Sequence, residues 1–95
     1  MASVIVKIIN PAGLHARPSA SLVKLSSSFK SKVFLDQDGY KVNAKSILGV
    51  MTLAAEQGSE LTLSAIGEDE EVALQKIKTL FDAGFYEMEG DNQLN

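Results

Sequence analysis

Residues 3–27 read SVIVKIINPAGLHARPSASLVKLSS, and the spacing of the apolar side chains changes partway through this stretch. Val4, Val6 and Ile8 alternate with Ser3, Ile5 and Lys7, the two-residue period of a β-strand over Ser3 to Ile9. Asn10-Pro11-Ala12-Gly13 interrupts it, because proline lacks a backbone donor and glycine permits unusual dihedrals. From Ala16 to Ser27 the spacing becomes three and four residues. Ala16, Ala20, Val23 and Ser27 fall on one face, widened by Leu22 and Leu25, which predicts a helix. Pro18 fits the first turn of that helix, where its missing N–H would have had no intrahelical partner. The helix therefore starts near His15 to Arg17, with His15 at or beside the N-cap.

Working outward, Ser28 to Lys32 makes a turn and Lys32 to Asp36 resumes strand character. Asp38-Gly39 is a hairpin signal that returns Tyr40 to Val42 antiparallel to that strand. Asn43 or Ser46 can cap a short helix through Ile47, Leu48, Val50, Met51 and Leu53. Glu60 to Ile66 alternates Leu61, Leu63 and Ala65 with polar residues and reads as a fourth strand. Acidic residues Glu68 to Glu71 open a last helix, where the partial positive charge of the N-terminus favours them as dipole partners rather than metal ligands. Its apolar stripe is Val72, Ala73, Leu74, Ile77, Leu80, Phe81 and Phe85, and Gly84 is its stop. The order βαββαβα predicts an α+β two-layer sandwich, helices covering one face of an antiparallel sheet. Residues 1–86 make the domain, and 87–95 read as an acidic, flexible tail.

Ninety-five residues suffice for one core but not for a deep enzyme cavity as well, so chemistry is expected on the surface. No apolar run approaches a membrane span, and Met1 to Lys7 offers no signal-peptide core, so a cytoplasmic location is the expectation. The absence of cysteine removes disulfides, thiolate metal sites and thiol nucleophiles. Net charge is −3, divided as +5 over residues 1–47 and −8 over residues 48–95. The basic half carries the chain's one histidine and would attract an anion or an acidic partner.

That histidine has an unusual setting. His15 follows a proline- and glycine-containing loop, precedes a helix N-terminus and has Arg17 two residues on. First-turn amides such as that of Ala16 bind anions, and a guanidinium engages phosphate oxygens in a bidentate fork. A neutral imidazole is a nucleophile whose phosphorylated form can pass the group onward without a separate cofactor, and no metal ligand set is expected. By residue type Ser46 is a helix-cap serine. Ile47, Leu48 and Met51 suit either the buried stripe of a short helix or an exposed docking patch.

Three segments then resemble one family in order and spacing: GLHARPS at Gly13 to Ser19, KSILGVMTL at Lys45 to Leu53 and, more weakly, GEDE at Gly67 to Glu70. They resemble HPr, the histidine-containing phosphocarriers of the bacterial sugar phosphotransferase system, over about residues 3–86. The resemblance implies an open-faced sandwich of four antiparallel strands and three helices. It implies that His15 takes phosphate on Nδ1 from enzyme I and donates it to the A domains of sugar permeases, Arg17 and the helix amides compensating the charge. It makes the protein a phosphoryl carrier rather than an enzyme in its own right. It further implies regulatory phosphorylation at Ser46, with a serine kinase/phosphorylase and a transcriptional regulator as additional partners. The resemblance also implies that Ile47, Leu48 and Met51 dock partners together with Ala16, Arg17, Ala20 and Lys24, and it implies neither direct nucleic-acid binding nor membrane insertion.

Ser19, Ser27 and Ala54 depart from the family's frequent alanine, lysine and glycine. Alternatives are a nitrogen-branch phosphocarrier, which LFDAGF at Leu80 to Phe85 somewhat resembles, and a binding module acting through Ser46 alone. A hydrolase with His15 as base is a third, but it lacks an evident nucleophile and orienting carboxylate.

Overall fold

The computed structural model of the chain describes residues 1–87; positions 88–95 of the acidic tail lie outside the described residues. Its elements are β1 (Ala2–Lys7), α1 (Ala16–Ser27), β2 (Lys32–Gln37), β3 (Tyr40–Asn43), α2 (Ile47–Met51), β4 (Glu60–Ile66) and α3 (Glu70–Asp82), followed by a three-residue turn, Gly84–Tyr86. The four strands form one antiparallel sheet in the order β1-β4-β2-β3. This is the open-faced α+β sandwich expected from the element order.

The two-residue period sets the layers. Val6 of β1, Val33 and Leu35 of β2, Val42 of β3 and Leu61, Leu63 and Ala65 of β4 are buried on the helix side, while Ser3, Ile5 and Lys7 are exposed on the other. Register keeps these faces aligned: Val4 and Val6 lie opposite Leu63 and Leu61, and Leu35 lies opposite both Leu63 and Val42. Asp38 and Gly39 turn the β2–β3 hairpin with φ of 52° and 92°, as a two-residue primed turn requires.

Over this face α3 contributes Ala73, Leu74, Ile77, Leu80 and Phe81, closed by Phe85. Val72, expected in that stripe, is exposed instead. The buried face of α1 also differs from expectation. It consists of Pro18, Ser19, Leu22 and Ser26, whereas Ala16, Ala20 and Ser27 face solvent. Helix α2 is a single short turn whose Val50 enters the core; Leu53, expected within the helix, lies just beyond it and is also buried.

Asp69 pins the α1–β2 loop to the start of α3. Its carboxylate accepts from the backbone amides of Lys30 and Ser31, each at 2.9 Å, and from the Ser31 hydroxyl. The Ser31 hydroxyl first, and then the Lys30 amide, hold its carboxyl down at about 2. Asp69 thus has a tertiary role besides facing the dipole, while Glu70 acts locally, accepting from the Gly67 amide at 3.1 Å.

Candidate functional site

His15 is the N-cap of α1, in extended conformation, and its carbonyl accepts the first helical bond from Ser19 at 3.0 Å. Pro18 has no amide, so Ala16 and Arg17 bring the two N–H groups of this turn that precede the helical ladder. Both residues are exposed. An anion beside the imidazole would meet these donors and the positive end of a twelve-residue helix. Arg17 makes no ion pair among the described residues.

The loop before His15 is held by short-range bonds and one long-range backbone contact. The Gly13 amide donates to Asn10 O at 3.1 Å, and Asn10 Nδ2 donates back to Gly13 O at 2.9 Å. Leu14 N donates to Ala55 O at 3.0 Å, and the buried Ser19 hydroxyl donates to Leu14 O at 3.1 Å. Ser19 is therefore a clamp on this loop, which accounts for a hydroxyl there in place of an alanine. A hydroxyl so engaged, inside the domain, is no nucleophile for a hydrolase. Gly13 has a φ of 72° and its α-carbon lies against Ala55, leaving no room for a side chain.

The imidazole is 43% exposed. Its Nε2 lies 3.2 Å from both carboxylate oxygens of Glu87, and Glu87 Oε1 also accepts from Asn10 Nδ2 at 3.1 Å. Nδ1 makes no hydrogen bond among the described residues. Sequence reading missed both of these neighbours. Asn10 reads as a chain breaker but is completely buried, and the side chain of Glu87, the first residue of the stretch read as a tail, is only 10% exposed. A contact across 72 residues leaves no local signal.

Ser46 is the N-cap of α2, and its Oγ accepts from Gly49 N at 3.1 Å. Of the two candidate caps, Asn43 makes a turn instead, accepting from the Lys45 amide at 2.8 Å. Ile47, Leu48 and Met51 are 41%, 77% and 45% exposed, so they do not form a buried stripe. Helix α2 packs against α1, whose Ala16, Arg17, Ala20 and Lys24 are exposed. A groove of about 490 Å³ between α1 and α3 includes none of His15, Arg17 or Ser46 among its lining residues.

Comparisons with known proteins point to one family. The model of the PTS HPr component phosphorylation site family matches residues 2–83. The phosphocarrier protein HPr of Treponema pallidum is 51% identical over 82 residues, covering 86% of this chain and 93% of that protein. The HPr-like protein Crh of Bacillus subtilis is 53% identical over 72 residues, covering 76% of this chain and 85% of that one. A crystal structure of HPr-C-His from Thermoanaerobacter tengcongensis superposes with a TM-score of 0.88 at 45% identity, covering 92% of this chain and 98% of that one. With the family match spanning nearly the whole sandwich, the chain belongs to the HPr family and is a phosphocarrier of the phosphotransferase system.

Proposed function

We propose that the phosphoryl group is carried on Nδ1 of His15, received from enzyme I and donated to the A domains of sugar permeases in the cytoplasm. The observation that supports this most is the placement of a half-exposed imidazole at the N-cap of α1, with Nδ1 unengaged among the described residues. The Nδ1 lone pair attacks phosphorus, the bond to the donor breaks, and its electron pair leaves with the donor. The Ala16 and Arg17 amides and the Arg17 guanidinium face the phosphoryl oxygens. Positioning and charge compensation carry most of such a transfer, so a shallow site suffices once a partner covers it. No separate cofactor takes part, because the group is held covalently, and the protein serves as substrate and donor for partner phosphotransferases.

Ala16, Ala20 and Lys24 on α1 and Ile47, Leu48 and Met51 on α2 form the docking surface in this reading. Apolar side chains exposed together favour a partner that covers them, and a flexible methionine adapts to several partners. Phosphorylation of Ser46 by a serine kinase would be tolerated at the start of α2 and would act on docking, by placing negative charge beside this patch. The match to a relative described as the catabolite repression HPr of Bacillus subtilis supports a regulatory role, which this reading assigns to Ser46 with a transcriptional regulator as partner.

Incubation with enzyme I and phosphoenolpyruvate tests the carrier reading. Acid-labile label that disappears in His15→Ala is expected, and label that survives that substitution refutes it. Measuring which A domain drains phosphate from the loaded protein separates sugar uptake from a nitrogen-branch phosphorelay.

A further inference from the structure

Glu87 lies beyond residues 2–83, the span matched by the family model, yet it is the described side chain that holds the His15 ring. The chain reaches it through an unusual turn: Gly84, Phe85 and Tyr86 have φ of 60°, 56° and 61°. Phenylalanine and tyrosine adopt the left-handed region at a steric cost, so something must hold the turn. Phe85 is buried and packs edge-on to Phe81 with ring centroids 4.9 Å apart, which anchors the chain reversal.

The reversal carries the Glu87 side chain to 10% exposure between two groups, the Asn10 amide and His15 Nε2. A carboxylate so enclosed is best compensated by a full positive charge. Neutral imidazole supplies only an N–H. The ring becomes cationic once Nδ1 has bonded to phosphorus, while Nε2 keeps its proton.

We propose that Glu87 is a positioning residue for phosphoryl transfer: it holds the ring by Nε2 so that Nδ1 faces the incoming donor, and it faces the charge that the ring acquires. Asn10 completes the arrangement by fixing the carboxylate. No proton leaves the ring during the step. The Nδ1 lone pair forms the bond to phosphorus, the donor departs with the electrons of the broken bond, and the charge left on the imidazole meets Glu87. An orienting carboxylate does the same for the imidazolium of a serine hydrolase. This inference rests on His15 being the acceptor.

The full-length chain, with its single histidine labelled with ¹⁵N, provides the test. The native protein shows an Nε2-bound proton protected from exchange with water. Glu87→Ala loses that signal, and Glu87→Gln retains it because the amide oxygen still accepts. Loss of one charge-assisted hydrogen bond lowers kcat for phosphorylation by enzyme I about tenfold in Glu87→Ala, with KM unchanged, and by less in Glu87→Gln. A protected Nε2 proton in Glu87→Ala overturns the proposal. So does a native kcat, or a change confined to KM, which would assign Glu87 to docking. Label that does not depend on His15 sinks the carrier reading itself, whereas His15-dependent label at the native rate in Glu87→Ala sinks only the role of Glu87.

Discussion

Replacing Gly13 by alanine tests whether the loop before His15 is as tightly seated as its bonds imply. A β-carbon there would lie 2.5 Å from Ala55 O and 3.0 Å from Glu56 Cα, against an ordinary carbon–oxygen contact of about 3.3 Å. Two costs combine. The left-handed backbone, with φ of 72°, costs about 1–2 kcal/mol once a β-carbon is present. Relieving the clash pushes Leu14 away from Ala55 and forfeits their 3.0 Å hydrogen bond, about 1 kcal/mol more. The sum is about 2–3 kcal/mol, or roughly 8–24 °C in Tm for a domain of this size. Gly58→Ala is the control, because Gly58 has a φ of 94° with nothing within 4 Å of the added carbon, and it should cost only the dihedral part. Urea unfolding of both variants gives the difference. Phosphorylation by enzyme I, measured well below either Tm, should fall at least about tenfold for Gly13→Ala, since displacement of a reacting group by an ångström has effects of that order or larger. Equal destabilisation by the two substitutions, within about 0.5 kcal/mol, would show that the Ala55 contact does not constrain the loop.

Ser46→Ala removes the cap on Gly49 and should cost about 1 kcal/mol in urea unfolding while leaving His15 competent. Ser46→Asp can keep the cap but should slow phosphorylation of His15 by enzyme I, and an unchanged rate would count against regulation through this position. Asp69 predicts an acid limb of stability: its folded-state value of about 2 lies below the ordinary 3.8, so the unfolded chain binds more protons between the two. Its contribution is therefore complete above about pH 4 and lost as pH falls through about 2, and Asp69→Asn should flatten that part of a pH–stability curve.

What the sequence made legible depended on whether the signal was local. The two-residue period, the Asp38-Gly39 turn and the capping serine each act within a few residues, and each stands where expected. The face of α1 was misread because alanine and serine occur on both sides of that helix. Ala16 and Ala20 have the spacing of a core stripe, but the buried positions are Ser19 and Ser26 beside Leu22. What buries Ser19 favourably is a partner outside the helix, the Leu14 carbonyl, which no periodicity reports. The partly open setting of α2 was equally undecided in sequence, since a helix of five residues presents too few positions for a stripe to stand out. His15 itself was legible because proline, glycine and arginine surround it at fixed offsets. Its two neighbours, Asn10 and Glu87, meet across 77 residues through a left-handed turn, and acidity near a C-terminus reads as a tail.

A carrier has a constraint that an enzyme does not, and the site's asymmetry answers it. The phosphoryl group must be held, yet every tenfold gain in holding is about 1.4 kcal/mol that the next partner must overcome. The groups proposed to face the phosphoryl oxygens are an exposed arginine and two amides of an exposed helix end, where water screens them and limits what they contribute. The other edge of the imidazole is built differently: Nε2 faces an enclosed carboxylate that a fully buried amide fixes in place. In this reading, charge developing in the ring is met by an enclosed carboxylate, while charge on the phosphoryl is met by exposed, solvated groups. When a partner covers Leu48 and Met51 and excludes water, the exposed donors strengthen for as long as the complex lasts. On the proposed mechanism, transfer is then favoured inside either complex, and the free carrier holds its cargo loosely enough to release it.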